Sequence, residues 1–121
     1  NTTLVVKGLP ADWTVLEVYE ALDDLGWAGS YDLAYVPPRV RGSPALHGLG
    51  QVSRGFAFLN FWEVGVADVF LHRMQGRALR PGMPGMEVSW CRQQGVHANL
   101  ENFWAGARSR VLKILDPAWR P

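Results

Sequence analysis

The run Arg54-Gly55-Phe56-Ala57-Phe58-Leu59-Asn60-Phe61 constrains the fold more than any other part of the chain. Its side chains alternate with a period of two, the signature of a β-strand whose successive residues point to opposite faces. Phe56, Phe58 and Asn60 share one face, while Ala57, Leu59 and Phe61 share the other. The second set has the size and polarity of a core face. The two phenyl rings of the first set are open to two readings: a platform on an uncovered face, or the second side of a strand buried on both. The aromatic neighbours Phe61 and Trp62 keep the second reading alive.

Around this strand, spanning Arg54 to Trp62, the other elements fall into order. Thr3 to Gly8, with β-branched Val5 and Val6, reads as a strand closed by Gly8-Leu9-Pro10. Thr14 and Glu17 form a capping box, Trp13 can staple to Val18, and the helix they open carries Val15, Val18, Leu22 and Leu25 up to a stop at Gly26. Tyr31 to Val36 reads as a second strand, stopped by Pro37-Pro38. Ala67, Phe70, Leu71 and Met74 have helical spacing, with Gly76 as the stop. Residues 80–85 are loop, and Met86 to Arg92 is a fourth strand with Met86, Val88 and Trp90 toward the core and Glu87, Ser89 and Cys91 away from it. His97 to Ala105 reads as a short third helix carrying Leu100, Phe103 and Trp104, and the tail to Pro121 is left unassigned. The order strand, helix, strand, strand, helix, strand is the α+β, ferredoxin-like βαββαβ arrangement. It implies a four-stranded antiparallel sheet with two helices on one face, plus the added C-terminal helix. The other face stays open, and what lies on it decides the function.

Composition narrows the classes. A chain of 121 residues with 48% hydrophobic content suffices for one folded domain, and no apolar stretch approaches the ~20 residues needed to span a bilayer. No membrane partner is expected. The abrupt start at Asn1, in what soon reads as a strand, suggests a piece of a longer protein. Cys91 is the only cysteine, which excludes an internal disulfide framework and favours an intracellular setting, nucleus or cytoplasm. The sequon Asn1-Thr2-Thr3 reads as chance. His47, His72 and His97 are scattered, so neither a catalytic constellation, nor a metal site, nor a cofactor is expected. The net charge of +1 gives weak overall attraction to phosphate, so a nucleic-acid partner must be held by local contacts. The charge is unevenly placed. Before Pro38 only Lys7 is basic, against Asp12, Glu17, Glu20, Asp23, Asp24 and Asp32, whereas the remainder carries the arginine excess.

Basic, glycine, aromatic, small, aromatic, aliphatic, any, aromatic is the pattern of Arg54 to Phe61, and it resembles the octamer of RNA-recognition motifs position for position. The resemblance implies that Phe56 and Phe58 stack single-stranded RNA bases, that Arg54 meets a phosphate, and that Gly55 lets a backbone come close. In the partner hexamer Leu4-Val5-Val6-Lys7-Gly8-Leu9, the second position is usually aromatic, and here Val5 offers a smaller aliphatic contact. Lys7 shares the open face as an RNA contact or a solvated lysine, and Asn60 continues the ring row with an amide able to hydrogen-bond a base edge.

One branch of that superfamily is closer. Thr2 to Pro10, Gly29 to Pro37, Gly55 to Phe61, Val88-Ser89-Trp90 with Gln94-Gly95, the Leu100 to Phe103 helix and Trp119-Arg120-Pro121 together resemble the C-terminal RNA-recognition motif of Mei-two-like proteins. The likeness covers nearly the whole chain except the loop before Arg54. It implies residues 1–95 as the motif and 96–121 as an extension with a short packed helix, in a monomeric module of a post-transcriptional regulator of meiosis or development.

Three features carry alternatives. The loop Pro37 to Ser53 is long for a compact domain, and its Arg39 and Arg41 either close over a bound strand or remain solvated. The third helix either packs at a sheet edge or lies across the open face and competes with RNA. A protein partner is the alternative to RNA, because related domains grip a tryptophan peptide with an acidic first helix and an Arg-any-Phe triplet. Here Arg77-Ala78-Leu79 lacks that phenylalanine.

Overall fold

The computed structural model describes residues 1–39, 50, 52–95, 98–99, 101 and 112–114. Its elements are β1 (Thr3–Lys7), α1 (Val15–Leu22), β2 (Tyr31–Tyr35), β3 (Phe56–Phe61), α2 (Val64–Met74), β4 (Glu87–Trp90) and β5 (Leu112–Ile114). The first six stand where the alternation and helical spacing place them, each strand shorter than expected by one to three residues. The third helix expected over His97 to Ala105 lies outside the described residues except for 98–99 and 101, and so do Arg41 and His47. The fifth strand was not anticipated. Leu112–Ile114 falls in the unassigned tail and pairs antiparallel with β2, placing Ile114 opposite Leu33 and Leu112 opposite Tyr35.

All pairings are antiparallel, in the order β4-β1-β3-β2-β5. The register of β1 on β3 sets Leu4 opposite Leu59 and Val6 opposite Ala57, and all four are buried. Against them pack Val15, Val18 and Leu22 of α1 and Ala67, Phe70 and Met74 of α2. Phe70 meets the edge of Trp27 at 4.8 Å and lies 5.0 Å from Phe61, centroid to centroid. Burying side chains of this size stabilises by about 1.5–3 kcal/mol each. A one-residue slip of β3 would bring Ala57, Leu59 and Phe61 out of the core together, so the core fixes Phe56 and Phe58 on the far face.

The capping box at α1 is formed in both directions: Glu17 N–H donates to Thr14 Oγ1 at 3.1 Å, and Thr14 N–H donates to Glu17 Oε1 at 3.0 Å. The helix leaves through a wide turn, Asp23–Trp27, that includes the expected stop at Gly26. Strand β2 then carries an irregularity with consequences for the site. Tyr31 pairs with Phe61 but Leu33 pairs with Asn60, so Asp32 is an extra residue and the strand's alternation changes phase there. Tyr31 stays on the helix side, its hydroxyl donating to Asp23 Oδ1 at 2.7 Å, whereas Tyr35 comes opposite Phe58 on the far side.

Both stems of the 37–53 loop are tied down. Pro38 bridges to Ser53 and Thr14 to Val52, while Ser53 N–H donates to the Trp13 carbonyl at 2.9 Å. This brings the loop's base to the end of the sheet where β1 finishes and β3 begins.

Candidate functional site

On the face away from the helices, β1 and β3 set Val5 directly opposite Phe58 and Lys7 directly opposite Phe56. The two phenyl rings meet edge to face at 5.7 Å, and Phe58 lies nearly parallel to Tyr35 at 6.3 Å. Phe56, Phe58 and Val5 are half-buried, Lys7 is exposed, and Tyr35 is buried. These four more accessible side chains line a groove of about 830 Å³. Its other wall is Trp90 and the residues that leave β4: Cys91, Arg92 and Gln93. Such a groove combines aromatic and aliphatic surface with Lys7, and Arg92 is exposed at its lip.

The glycine of the octamer has a structural reason. Gly55 sits at φ +86°, and a Cβ there would lie 3.1 Å from the Leu9 carbonyl oxygen. The backbone that comes close is therefore the chain's own: Leu9 N–H donates to the Gly55 carbonyl at 2.9 Å. This contact joins the start of β3 to the chain leaving β1.

The arginines are spread more widely than the rings. Arg54 is exposed just before β3 and does not line the groove, its backbone N–H donating to the Pro37 carbonyl at 3.1 Å. Arg39 is turned toward the chain between β1 and α1, where its guanidinium donates to the Ala11 carbonyl. Beside it, Arg80 holds Asp12 through two hydrogen bonds of 2.6 and 3.2 Å. That guanidinium keeps the Asp12 carboxyl below its usual range, and Asp12 in turn raises Arg80.

Asn60 requires correction. It lies in line with Phe56 and Phe58, yet it is buried and offers no edge to a ligand. Its Oδ1 accepts from the hydroxyls of Thr2 (2.7 Å) and Thr3 (2.6 Å), and its Nδ2 donates to Asp32 Oδ1 (2.8 Å). Alternation along β3 gives the face of Asn60 correctly. It does not reveal that Gln94, Gly95 and Asn99 hydrogen-bond to Thr3 beside it, at that end of the sheet.

Tyr35, Trp90, Arg92 and Gln93 are the contributors that the sequence did not single out. The phase change at Asp32 hides Tyr35, and alternation ends with β4 before Arg92 and Gln93. Trp90, assigned to the core, packs against it only in part and lines the groove as well. Among the described residues, no group of three or more His, Cys, Asp or Glu is placed to hold a metal ion.

No protein-family profile matches the sequence, and no curated protein matches it. Solved structures do match. The Rna15 RRM with bound RNA (GU) superposes with a TM-score of 0.57 at 17% identity, over 83% of this chain and 94% of that one. The fold is that of the RNA-recognition motif. A Sxl-lethal protein/RNA complex gives 0.54 at 24% identity, over 78% of this chain and 49% of that one. RNA recognition domains 1 and 2 of Sex-lethal from Drosophila melanogaster give 0.53 at 19% identity, over 87% of this chain and 68% of that one. Within this fold, β5 extends the sheet beyond β2, at the edge opposite β4.

Proposed function

We propose that the domain binds single-stranded RNA in the groove formed by Val5, Lys7, Phe56 and Phe58. The observation that carries this reading is the pair of phenyl rings meeting edge to face on the side away from the helices, lining a groove with Lys7 beside them. Unpaired bases offer flat faces to such rings, and each stacked base contributes about 1–3 kcal/mol. Two of the similar solved structures contain RNA, which supports the same reading. Two rings, a valine in the third position and, among the described residues, few nearby cations give weak binding, on the order of 0.1 mM for the isolated domain. Lys7 and Arg92 supply the salt-sensitive part, without reading sequence.

The finer reading rests on sequence resemblance. The blocks shared with Mei-two-like proteins favour a monomeric, non-enzymatic module of an intracellular post-transcriptional regulator of meiosis or development, joined to further domains that add affinity.

Titrating a pool of single-stranded RNA against the chain and against the double variant Phe56→Ala/Phe58→Ala tests the binding site. The expected result is a loss of at least about tenfold, with the fold retained. Unchanged binding removes the platform from the account. RNA inert beside a tryptophan-bearing peptide that perturbs Glu17, Glu20, Asp23 and Asp24 would move the site to the helices.

A further inference from the structure

The far end of the same face is closed, and polar groups close it. Thr3, Asn60, Asp32 and Asn99 are exposed by only 1%, 3%, 5% and 0%. The segment that follows β4 is bound to β1 there. Gln94 Oε1 accepts from the backbone N–H groups of Thr2 and Thr3, both at 2.9 Å. Its Nε2 donates to the carbonyls of Thr3 (2.9 Å) and Cys91 (2.7 Å). Gly95 N–H and Asn99 Nδ2 then reach the Thr3 hydroxyl oxygen at 2.9 and 3.2 Å. This is the hydroxyl that donates to Asn60, so the strap and the end of the ring row belong to one hydrogen-bonded cluster.

The closure sets a length. Along β1 and β3 the accessible stretch holds two same-face residues per strand, Val5 and Lys7 beside Phe56 and Phe58, before Thr3 and Asn60 shut it. At a rise of about 3.4 Å per residue, two same-face positions are about 7 Å apart. That is room for one base on each ring. We propose that Gln94 and Asn99 act as a strap that limits the site to two stacked bases, making them specificity-determining residues for ligand length. The inference rests on the RNA reading above.

The strap has a weak point suited to testing. Among the described residues Asn99 Oδ1 is buried without a hydrogen-bond partner, which leaves this cluster short of one bond there. The test uses the full 121-residue chain and randomised single-stranded RNA of two, four, six and eight nucleotides. Salt is held high enough to suppress non-specific phosphate attraction, and amide resonances are followed. Per binding register, affinity is expected to stay within about threefold from four to eight nucleotides. Shifts are expected at Val5, Lys7, Phe56 and Phe58 and not at the Asn60 and Asn99 side-chain amides. In Gln94→Ala/Asn99→Ala, affinity for the eight-nucleotide pool is expected to rise at least about threefold, with shifts spreading to Thr3 and Asn60.

Affinity that climbs tenfold or more between four and eight nucleotides in the unaltered chain, with the Asn60 amide shifting, overturns the length limit while leaving RNA binding intact. An eight-nucleotide affinity unchanged by the double variant overturns the role of the strap. Absence of binding at every length overturns the RNA reading and this inference together.

Discussion

Two halves of one sheet face, built from the same strands with the same alternation, meet opposite fates. Val5, Lys7, Phe56 and Phe58 line a groove, whereas two residues further along the same strands Thr3 and Asn60 are sealed in a hydrogen-bonded cluster. The strands do not make this difference. The chain after β4 does, by crossing one half through Gln94, Gly95 and Asn99 and by bordering the other half at Cys91, Arg92 and Gln93. A side chain's face follows from local periodicity. Its access to a ligand depends on which distant segment returns to cover it.

The largest effect that separates the halves belongs to the closed one. Asn60→Ala strips the Thr2 and Thr3 hydroxyls and Asp32 of their shared partner in a buried place. The expected destabilisation is about 2–4 kcal/mol, read as a lower urea midpoint at unchanged slope. RNA affinity of the folded fraction is expected to stay the same. A large affinity loss without destabilisation would turn Asn60 back into a base-reading residue and erase the comparison.

Next in size is a gain in the open half. Val5 stands directly opposite Phe58, at the second position of the hexamer, where the pattern that Leu4 to Leu9 resembles usually supplies a ring. Val5→Phe is expected to tighten RNA binding about five- to tenfold by adding a third stacking surface. Fluorescence anisotropy with a labelled pool measures it, and no gain would show that the wall made by β4 already occupies the space.

Fold and site were legible to different depths, for physical reasons. The core face of β3 and the two helices follow from apolar spacing alone, because burial of Leu59, Phe61, Phe70 and Met74 dominates the choice of register. Strand β5 escaped because three residues far from β2 in sequence carry too short a pattern to stand out. Tyr35 escaped because one extra residue, Asp32, shifts the phase of its strand. Arg39 was readable as a loop cation, but its contact with the Ala11 carbonyl depends on the fold bringing two chain turns together. Asn60 shows the limit most clearly: correct in its face, wrong in its exposure, because Gly95 and Asn99 return from more than thirty positions away to the Thr3 hydroxyl that donates to it.

Smaller effects sharpen the account of charge. Lys7→Ala is expected to reduce the slope of log affinity against log salt by about 0.7, the share of one phosphate contact on a single strand. No change in slope would assign Lys7 to solvent. The smallest effect lies outside both halves. Asp12 is held below its ordinary range by Arg80, so the pair's contribution is present above the pKa of an unfolded aspartate, roughly 3.9, and is lost as pH falls through the lower folded value. Acid unfolding of Asp12→Asn is expected to lose that dependence, with RNA binding at neutral pH unaltered.

The most direct measurement is the set of nuclear Overhauser contacts between the chain and a bound four-nucleotide RNA. Base protons are expected to contact the Phe56 and Phe58 rings and the Val5 methyls, with none to Thr3 or Asn60. Contacts confined to the helices, or reaching Asn60 in preference to the two rings, would contradict the account.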